Sequence, residues 1–550
     1  MTTRRFKDSD EVDFVVVGSG ASGGVLAREL ALGGFSTVVL EQGPRLSPGE
    51  FEHDEFKYWY RSGITNDPAR SPQTFRSDPA AKALRTGVRP ALWYARTVGG
   101  SSTHFTANYW RFHEIDFIER SRLGAVAGAD LADWPITYAE LEPYYTKVDW
   151  DIGVSGLAGA CPFDPPRSRA YPMPPLPVKS SGVLLERGAR KLGLHPFPAP
   201  MAINSVPYRD RAGCVHCGFC HGFACEAQAK SSTLFNMIPE AEASGRCEVR
   251  ANSYVVRIDT RSDGRATGVA YLDAAGTERF QKSRAVVVAA NGAETPRLLL
   301  ASASSRHPDG LGNSSGLVGK YLMFNYSARV AAVFEHELNE FKSVQVTRVV
   351  HDFYDSDPKR GFYGGGGLDA RIGPQPTIWA QRTALDEGSW GARLKARLRE
   401  FPRSMVVLGH GTSLPVATNS VSLDPDLKDA WGRPAIRVTY KDHPDDLANA
   451  RFLQDRSVEI MEAAGAERVS RAPVNHSDFS MHLLGTCRMG NDPKSSVVDR
   501  YHRSHDVRNL FLCDGSSLVT SGRGQPTMTI QALAFRAADH IGRFARAGDI

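Results

Sequence analysis

The chain has 550 residues, of which 41% are hydrophobic and 23% charged, and a formal net charge of +5. At roughly 150 residues per domain this is too long for one core, and two domains, at least one assembled from separated segments, are expected. The composition excludes global disorder, and so dilute a charge excludes the electrostatic footprint of a nucleic-acid or membrane-surface binder, which leaves small-molecule chemistry.

No apolar run approaches the roughly 18 residues of a membrane helix, so no integral membrane segment is expected. Arg4 and Arg5 are followed by acidic residues rather than an apolar stretch, so no export signal is legible. A cytoplasmic chain, or one exported folded with a partner, are both open on this evidence. Cys161, Cys247, Cys487 and Cys513 are scattered, which argues against a disulfide framework.

In chain order, "DFVVVGSGASGGVLARELALGGFSTVVLEQGPR" reads as strand, glycine turn, helix and strand. Gly18 permits the sharp turn, Gly20 admits a pyrophosphate to the backbone, and Gly23 lets the helix pack on the strand. Glu41, 23 residues after Gly18, falls where an acid accepts hydrogen bonds from a ribose diol. This is a dinucleotide site that does not by itself separate FAD from NAD. Residues 44–95 read as irregular. "DWPITYAELEPYYTKV" (133–148) predicts a threonine-capped helix, and Pro162–Pro177 a proline-rich connector.

"CVHCGFCHGFAC" then packs Cys214, Cys217, Cys220 and Cys225 into residues 214–225. Residues 247–290 turn to β pattern, with strands expected to return to the opening sheet, and residues 325–440 suggest an antiparallel sheet of a second domain. Within the latter, "YGGGGLDAR" (363–371) predicts a tight turn or a close backbone approach. "WGARLKARLREF" (390–401) predicts a solvated basic helix with Leu394, Leu398 and Phe401 on one face.

Four ordered stretches, the glycine turn, "TVGGSSTHF" (97–105), "VVAANGAETPRLLLAS" (287–302) and "HLLGTCRMG" (482–490) with the block that follows it, resemble the glucose–methanol–choline (GMC) oxidoreductases, which bind FAD and oxidise alcohols. The resemblance implies an α/β fold, with a Rossmann-like FAD-binding domain of several segments and a substrate domain on an antiparallel sheet. Its expected division is 1–160, 231–325 and 476–550 for FAD, 161–230 as connector with the cysteine segment, and 326–475 for substrate. It further implies that Asp514 and Gly515 approach the pyrophosphate, that Val255 touches the adenine, and that Pro526 and Thr527 lie beside the flavin.

Alcohol oxidation needs a base within hydrogen-bond reach of the hydroxyl proton. His482 matches the family's catalytic histidine, and imidazole titrates near neutrality. Where the family places a second His or Asn, this chain has Gln525, an amide that orients a hydroxyl but cannot act as base. "GGSSTHFTAN" (99–108) is similar to a pyranose-oxidase segment whose histidine bonds the flavin covalently, which implies His104 as an attachment point and Thr106 beside the reactive edge.

"DWPITYAELEPYY", "YPMPPLP" and the cysteine segment also resemble bacterial FAD-dependent glucose and gluconate dehydrogenases, which implies a sugar or polyol substrate, a small subunit and a cytochrome acceptor. An oxidase releasing peroxide and a lyase with a structural flavin are the alternatives. The cysteine spacing, C-x2-C-x2-C-x4-C, sits closer to a ferredoxin run than to paired zinc ligands, so an iron–sulfur cluster on Cys214, Cys217, Cys220 and Cys225 is expected, with an unoccupied structural loop as the alternative.

Overall fold

The computed structural model describes residues 5–61, 63–372 and 375–550. Its largest sheet grows from the opening segment. Val12–Val17 (β1) is a nearly continuous buried run, the pattern of a strand covered on both faces. Gly18 then turns the chain at φ +92°, where an added Cβ would lie 2.6 Å from the Ala289 carbonyl oxygen, so a side chain is excluded twice over. Ala21–Leu32 (α1) follows, and Thr37–Leu40 (β2) returns parallel to β1. A Cβ on Gly23 would sit 2.1 Å from the Gly18 carbonyl oxygen, so the close helix–strand packing expected of this glycine is present.

The returning strands are where the sequence pattern put them. Cys247–Arg250 (β6) pairs parallel with β2, and the last residues of Glu278–Val288 (β9) pair parallel with β1. Leu510–Leu512 (β17) adds a further parallel strand beside β9. The first residues of β9 pair instead with Ala266–Leu272 (β8), itself paired with Tyr254–Thr260 (β7), so the same long strand leaves the parallel sheet and enters an antiparallel meander. Tyr138–Val148 (α2) starts at Thr137, whose hydroxyl accepts the Glu140 main-chain N–H, as the capping pattern predicted. Asn291–Ala301 (α3) leaves β9 directly. The C-terminal helix, Thr527–Arg546 (α5), packs on α1 and α2 and buries Phe535 and Ile541.

A second sheet of six strands is antiparallel throughout. Its order is Arg468–Arg471 (β16), Ser327–Val333 (β10), Ser404–Gly411 (β13), Gly366–Ile372 (β12), Val346–Val350 (β11) and Pro196–Pro198 (β5). Pro444–Ala463 (α4) lies against β10 and β13 and buries Leu453, Ile460 and Met461. A third sheet joins Ser420–Lys428 (β14) and Pro434–Thr439 (β15) to Gln73–Arg76 (β3) and Leu84–Arg85 (β4).

Two local expectations change, and a third resolves to one of its two alternatives. The stretch 44–95 is not irregular throughout, because β3 and β4 lie within it and β3 pairs parallel with β15 some 360 residues away, a partner local pattern cannot supply. The glycines Gly364–Gly367 make no tight turn; they lead into β12 with backbone so close to neighbours that a Cβ on Gly367 would meet Trp110 at 2.5 Å. The basic helix ends at Leu398, and Phe401 stands in the following turn with its ring 5.9 Å from Trp379. No residue of that helix is buried, as the solvated reading requires.

Candidate active site

The carboxyl ends of β1, β2, β9 and β17 open on one cleft of about 1160 Å³, part of it continuous with solvent. This is where an open α/β sheet binds its ligand. Of the residues expected here, Gly18, Gly20, Glu41, Val255, His482, Asp514, Gly515, Pro526 and Thr527 all line it. The first residues of α1, α3 and α5 face the same space, so three positive helix ends point into it; α1 and α5 carry no side-chain cap, whereas the Asn291, Ala293 and Glu294 N–H groups of α3 are taken by Asp514 and the Asn291 side chain. That is a site for an anionic phosphate chain.

Glu41 is buried and organises the turn from the side. It accepts hydrogen bonds from the Ser19 main-chain N–H (3.1 Å), the Ser19 hydroxyl (2.7 Å) and the Gly43 N–H (3.0 Å). Asp514 plays the same part at the opposite wall, accepting from Asn291 N–H (3.1 Å), the Thr295 hydroxyl (2.6 Å) and Ser516 N–H (2.7 Å). It thereby ties the turn after β17 to the start of α3. Beyond it lies a buried group the sequence reading missed: the Tyr94 hydroxyl donates to Glu294 (2.5 Å), Glu294 pairs with Arg297, and Arg297 donates to the Val255 carbonyl (3.1 Å). All four residues line the cleft. The Glu294 to Arg297 spacing of one helical turn was the available signal.

At the other end, His482 has one tautomer. Asn325 Nδ2 faces the carbonyls of Gly411 (3.3 Å), Ser521 (3.1 Å) and Gly522 (3.0 Å), which fixes the amide. Its Oδ1 must then face His482, and accepts from Nδ1–H at 3.1 Å. The Nε2 of His482 therefore carries the lone pair. Burial first, then the neighbouring His410 and Arg371, pushes the His482 pKa down to about 3, which keeps the ring neutral.

Gln525 is buried, is not among the cleft-lining residues, and donates to His410 Nδ1 (3.2 Å), while His410 Nε2–H donates to Asp369 (2.7 Å). Burial opposes ionisation of Asp369, but Arg371 and His410 hold its carboxyl down to about 2. The Gln525 amide is thus backed by an imidazole from β13. Asn325, His410, Asp369 and Arg371 were all missed by sequence reasoning.

His104 and Thr106 are not among the cleft-lining residues, although Gly100, Ser101, Ser102 and Phe105 around them are. The Nε2 of His104 is buried with no hydrogen-bond partner among the described residues, and burial next to Lys230 lowers its pKa to about 4. The cysteine segment is a separate loop. Gly218 bridges to Lys342, His216 bonds Ser343 (2.8 Å), and buried Lys230 donates to the carbonyls of Cys220 (2.8 Å) and Phe223 (3.0 Å). Left-handed backbone falls at His216, Phe219 and Gly222. The His216 N–H donates to the Cys214 sulfur (3.4 Å), and the four thiols lie close enough for each other's charge to raise the Cys214 pKa, which burial first pushes to about 11.

These donors fit a flavin dinucleotide: a glycine turn, three helix N-termini, an acid at the second strand and an unpartnered buried imidazole beside the wall. Comparison with known proteins agrees. The N-terminal GMC oxidoreductase model matches residues 12–325 and the C-terminal one residues 415–534. The chain is 36% identical to 2-methyl-1,2-propanediol dehydrogenase of Mycolicibacterium austroafricanum, across 97% of this chain and 96% of that one. It is 29% identical to the gluconate 2-dehydrogenase flavoprotein of Pantoea cypripedii, across 96% and 93%. A formate oxidase of Aspergillus oryzae RIB40, whose structure concerns modification of its FAD, has the same fold at a TM-score of 0.68 and 15% identity, across 99% of this chain and 100% of that one. The chain belongs to the GMC oxidoreductase family, as an alcohol or sugar oxidoreductase with a Rossmann-like FAD-binding part and a substrate part on an antiparallel sheet.

Proposed function

We propose that the chain oxidises a hydroxyl group of a sugar, glycoside or polyol, small diols included, and passes the electrons to an acceptor other than oxygen. When bound, FAD supplies the two-electron hydride acceptor. The observation that carries the reading is His482: an imidazole at the cleft wall whose Nδ1–H is held by Asn325, which leaves its lone pair on Nε2. It takes the hydroxyl proton as hydride leaves carbon, so no protonated carbonyl forms. Gln525, backed by His410 and Asp369, orients the substrate oxygen. In this reading residues 1–160, 231–325 and 476–550 hold the cofactor, 326–475 the substrate, and 161–230 the cysteine loop. His104 Nε2, buried and unpartnered, is the proposed covalent attachment point, and Thr106 lies beside it.

The 36% identity to a diol dehydrogenase, above the 29% shared with the gluconate dehydrogenase and equally with a paromamine 6'-oxidase of Streptomyces fradiae, supports dehydrogenase over oxidase. The cysteine loop supports it too. Cys217 is exposed, Cys214, Cys220 and Cys225 are half-buried, and Lys230 couples electrostatically both to Cys217 and to His104. We read the four thiols as ligands of an iron–sulfur cluster that relays electrons from the flavin side to a surface-bound small subunit or cytochrome. Left-handed turns that fold the loop back on itself and an N–H donated to a ligand sulfur are features such a cluster uses.

The test is anaerobic addition of sugars, polyols and diols with flavin bleaching as readout. One or more is expected to bleach, and His482→Ala to retain FAD while bleaching ~10²–10⁴-fold more slowly. Product formation without bleaching would favour a lyase, and stoichiometric peroxide in air an oxidase. Iron and sulfide in anaerobically purified protein, lost in Cys217→Ser, test the cluster.

A further inference from the structure

Away from the cleft, three side chains from three distant segments converge. His113 precedes the short helix Glu114–Phe117, Asp164 lies in the proline-rich connector, and His351 directly follows β11. One ligand-capable atom of each lies within 4.8 Å of the other two. None of the three lines the cleft.

Both imidazoles are buried, with 6% of His113 and 3% of His351 exposed. Nε2 of His113 and both ring nitrogens of His351 have no hydrogen-bond partner among the described residues. Buried polar atoms are ordinarily satisfied, and an unpartnered nitrogen on each of two rings that meet at a carboxylate points to a common partner.

Packing fixes the rings before anything binds. His113 stacks on Tyr354 at 3.6 Å between centroids, and His351 stands edge-on to Trp110 (4.6 Å) and Phe197 (4.9 Å). Arg111 and Arg167 lie near Asp164, yet both guanidinium groups are bonded to Asp149, at 2.7 and 3.0 Å. The specific contact of Asp164 is the Cys161 thiol. Two nitrogens and a carboxylate oxygen are the donors of a borderline first-row dication, whereas magnesium and calcium take oxygen sets.

We propose that His113, Asp164 and His351 bind one divalent transition-metal ion, zinc or a close analogue, as a structural pin. It joins the connector to the end of β11 behind the substrate wall. His351 packs on Trp110, Trp110 packs edge-on to His410 at 5.2 Å, and His410 holds Gln525. The site is independent of the cysteine loop, which shares no ligand with it.

The experiment is zinc uptake by chelator-treated, flavin-loaded enzyme, read by elemental analysis and by X-ray absorption of the bound zinc. One equivalent per chain is expected, with nearest neighbours at about 2.0–2.1 Å, as for nitrogen and oxygen, rather than about 2.3 Å for thiolate sulfur. His351→Asn and, separately, the isosteric Asp164→Asn are expected to lose that equivalent while keeping FAD, and Cys217→Ser to keep it. Absence of uptake, uptake unchanged in folded Asp164→Asn, or a first shell of sulfur would each overturn the assignment.

Discussion

Asn325 makes no contact with the reacting hydroxyl in the proposed mechanism, yet its loss is expected to cost much of the rate. Its amide spends both hydrogens on the Gly411, Ser521 and Gly522 carbonyls and leaves its oxygen to hold His482 Nδ1–H at 3.1 Å. Asn325→Leu removes the acceptor and frees the ring to rotate or to carry its proton on Nε2, where it cannot act as base. Loss of one neutral hydrogen bond, about 1 kcal/mol, sets a floor of roughly five-fold on the rate. A fully wrong tautomer sets a ceiling near ~10⁴-fold, the cost seen when the orienting group of a serine-protease triad is neutralised.

We therefore expect flavin bleaching in anaerobic single-turnover mixing to slow by between these limits, with FAD content unchanged. The decisive measurement is a double-mutant cycle. If Asn325 acts through His482, adding Asn325→Leu to His482→Ala slows the residual bleaching no further. An equal factor in both backgrounds would show that Asn325 acts elsewhere, and the tautomer argument would fall.

Three further outcomes are expected. Glu41→Ala leaves the Ser19 and Gly43 N–H donors without their shared charged acceptor, and at about 1.5–3 kcal/mol for such bonds FAD affinity should drop ~10–100-fold; undiminished FAD after gel filtration would refute this. Acid-precipitated wild type should stay yellow and His104→Ala should release its flavin to the supernatant, whereas full release from wild type would exclude the bond. His502 donates to the Leu512 carbonyl at 3.1 Å and is fully buried, and burial lowers its pKa from 6.5 to about 3. Below pH ~6.5 the unfolded chain takes a proton that the native ring refuses, so stability falls by about 1.4 kcal/mol per pH unit down to about pH 3, with no contribution above ~6.5. His502→Gln should remove that one-proton slope from the urea-derived stability profile, and an unchanged slope would contradict it.

How far the sequence carried depends on how local each feature is. The strand–turn–helix opening was legible because Gly18, Gly23 and Glu41 act within one βαβ unit, and the returning end of β9 because Ala285–Val288 is apolar and buried without interruption, as parallel strands are; β6, the half-buried CEVR, has no such run. The cofactor wall of α5 and the turn after β17 came from family motifs rather than from any periodicity.

The substrate wall was opaque for a physical reason. In the antiparallel ladder His410 stands opposite Gly367, and Asp369 opposite Leu408, so the two polar side chains are diagonal neighbours on one face of β12 and β13. Strand alternation shows that Gly367, Asp369 and Arg371 share a face, but the register that brings His410 to them is set by pairing across nearly forty residues. The glycine at 367 leaves the space that Trp110 and His351 occupy. A histidine in "MVVLGHGTS" thus reads as one residue of an ordinary strand until that register is known. The same holds for His113, Asp164 and His351: each is unremarkable in its own segment, and only the connector crossing the end of β11 makes them a set. Features whose chemistry requires three chain segments are those a linear pattern cannot express, and here they are the groups that orient the proposed base and brace the wall behind it.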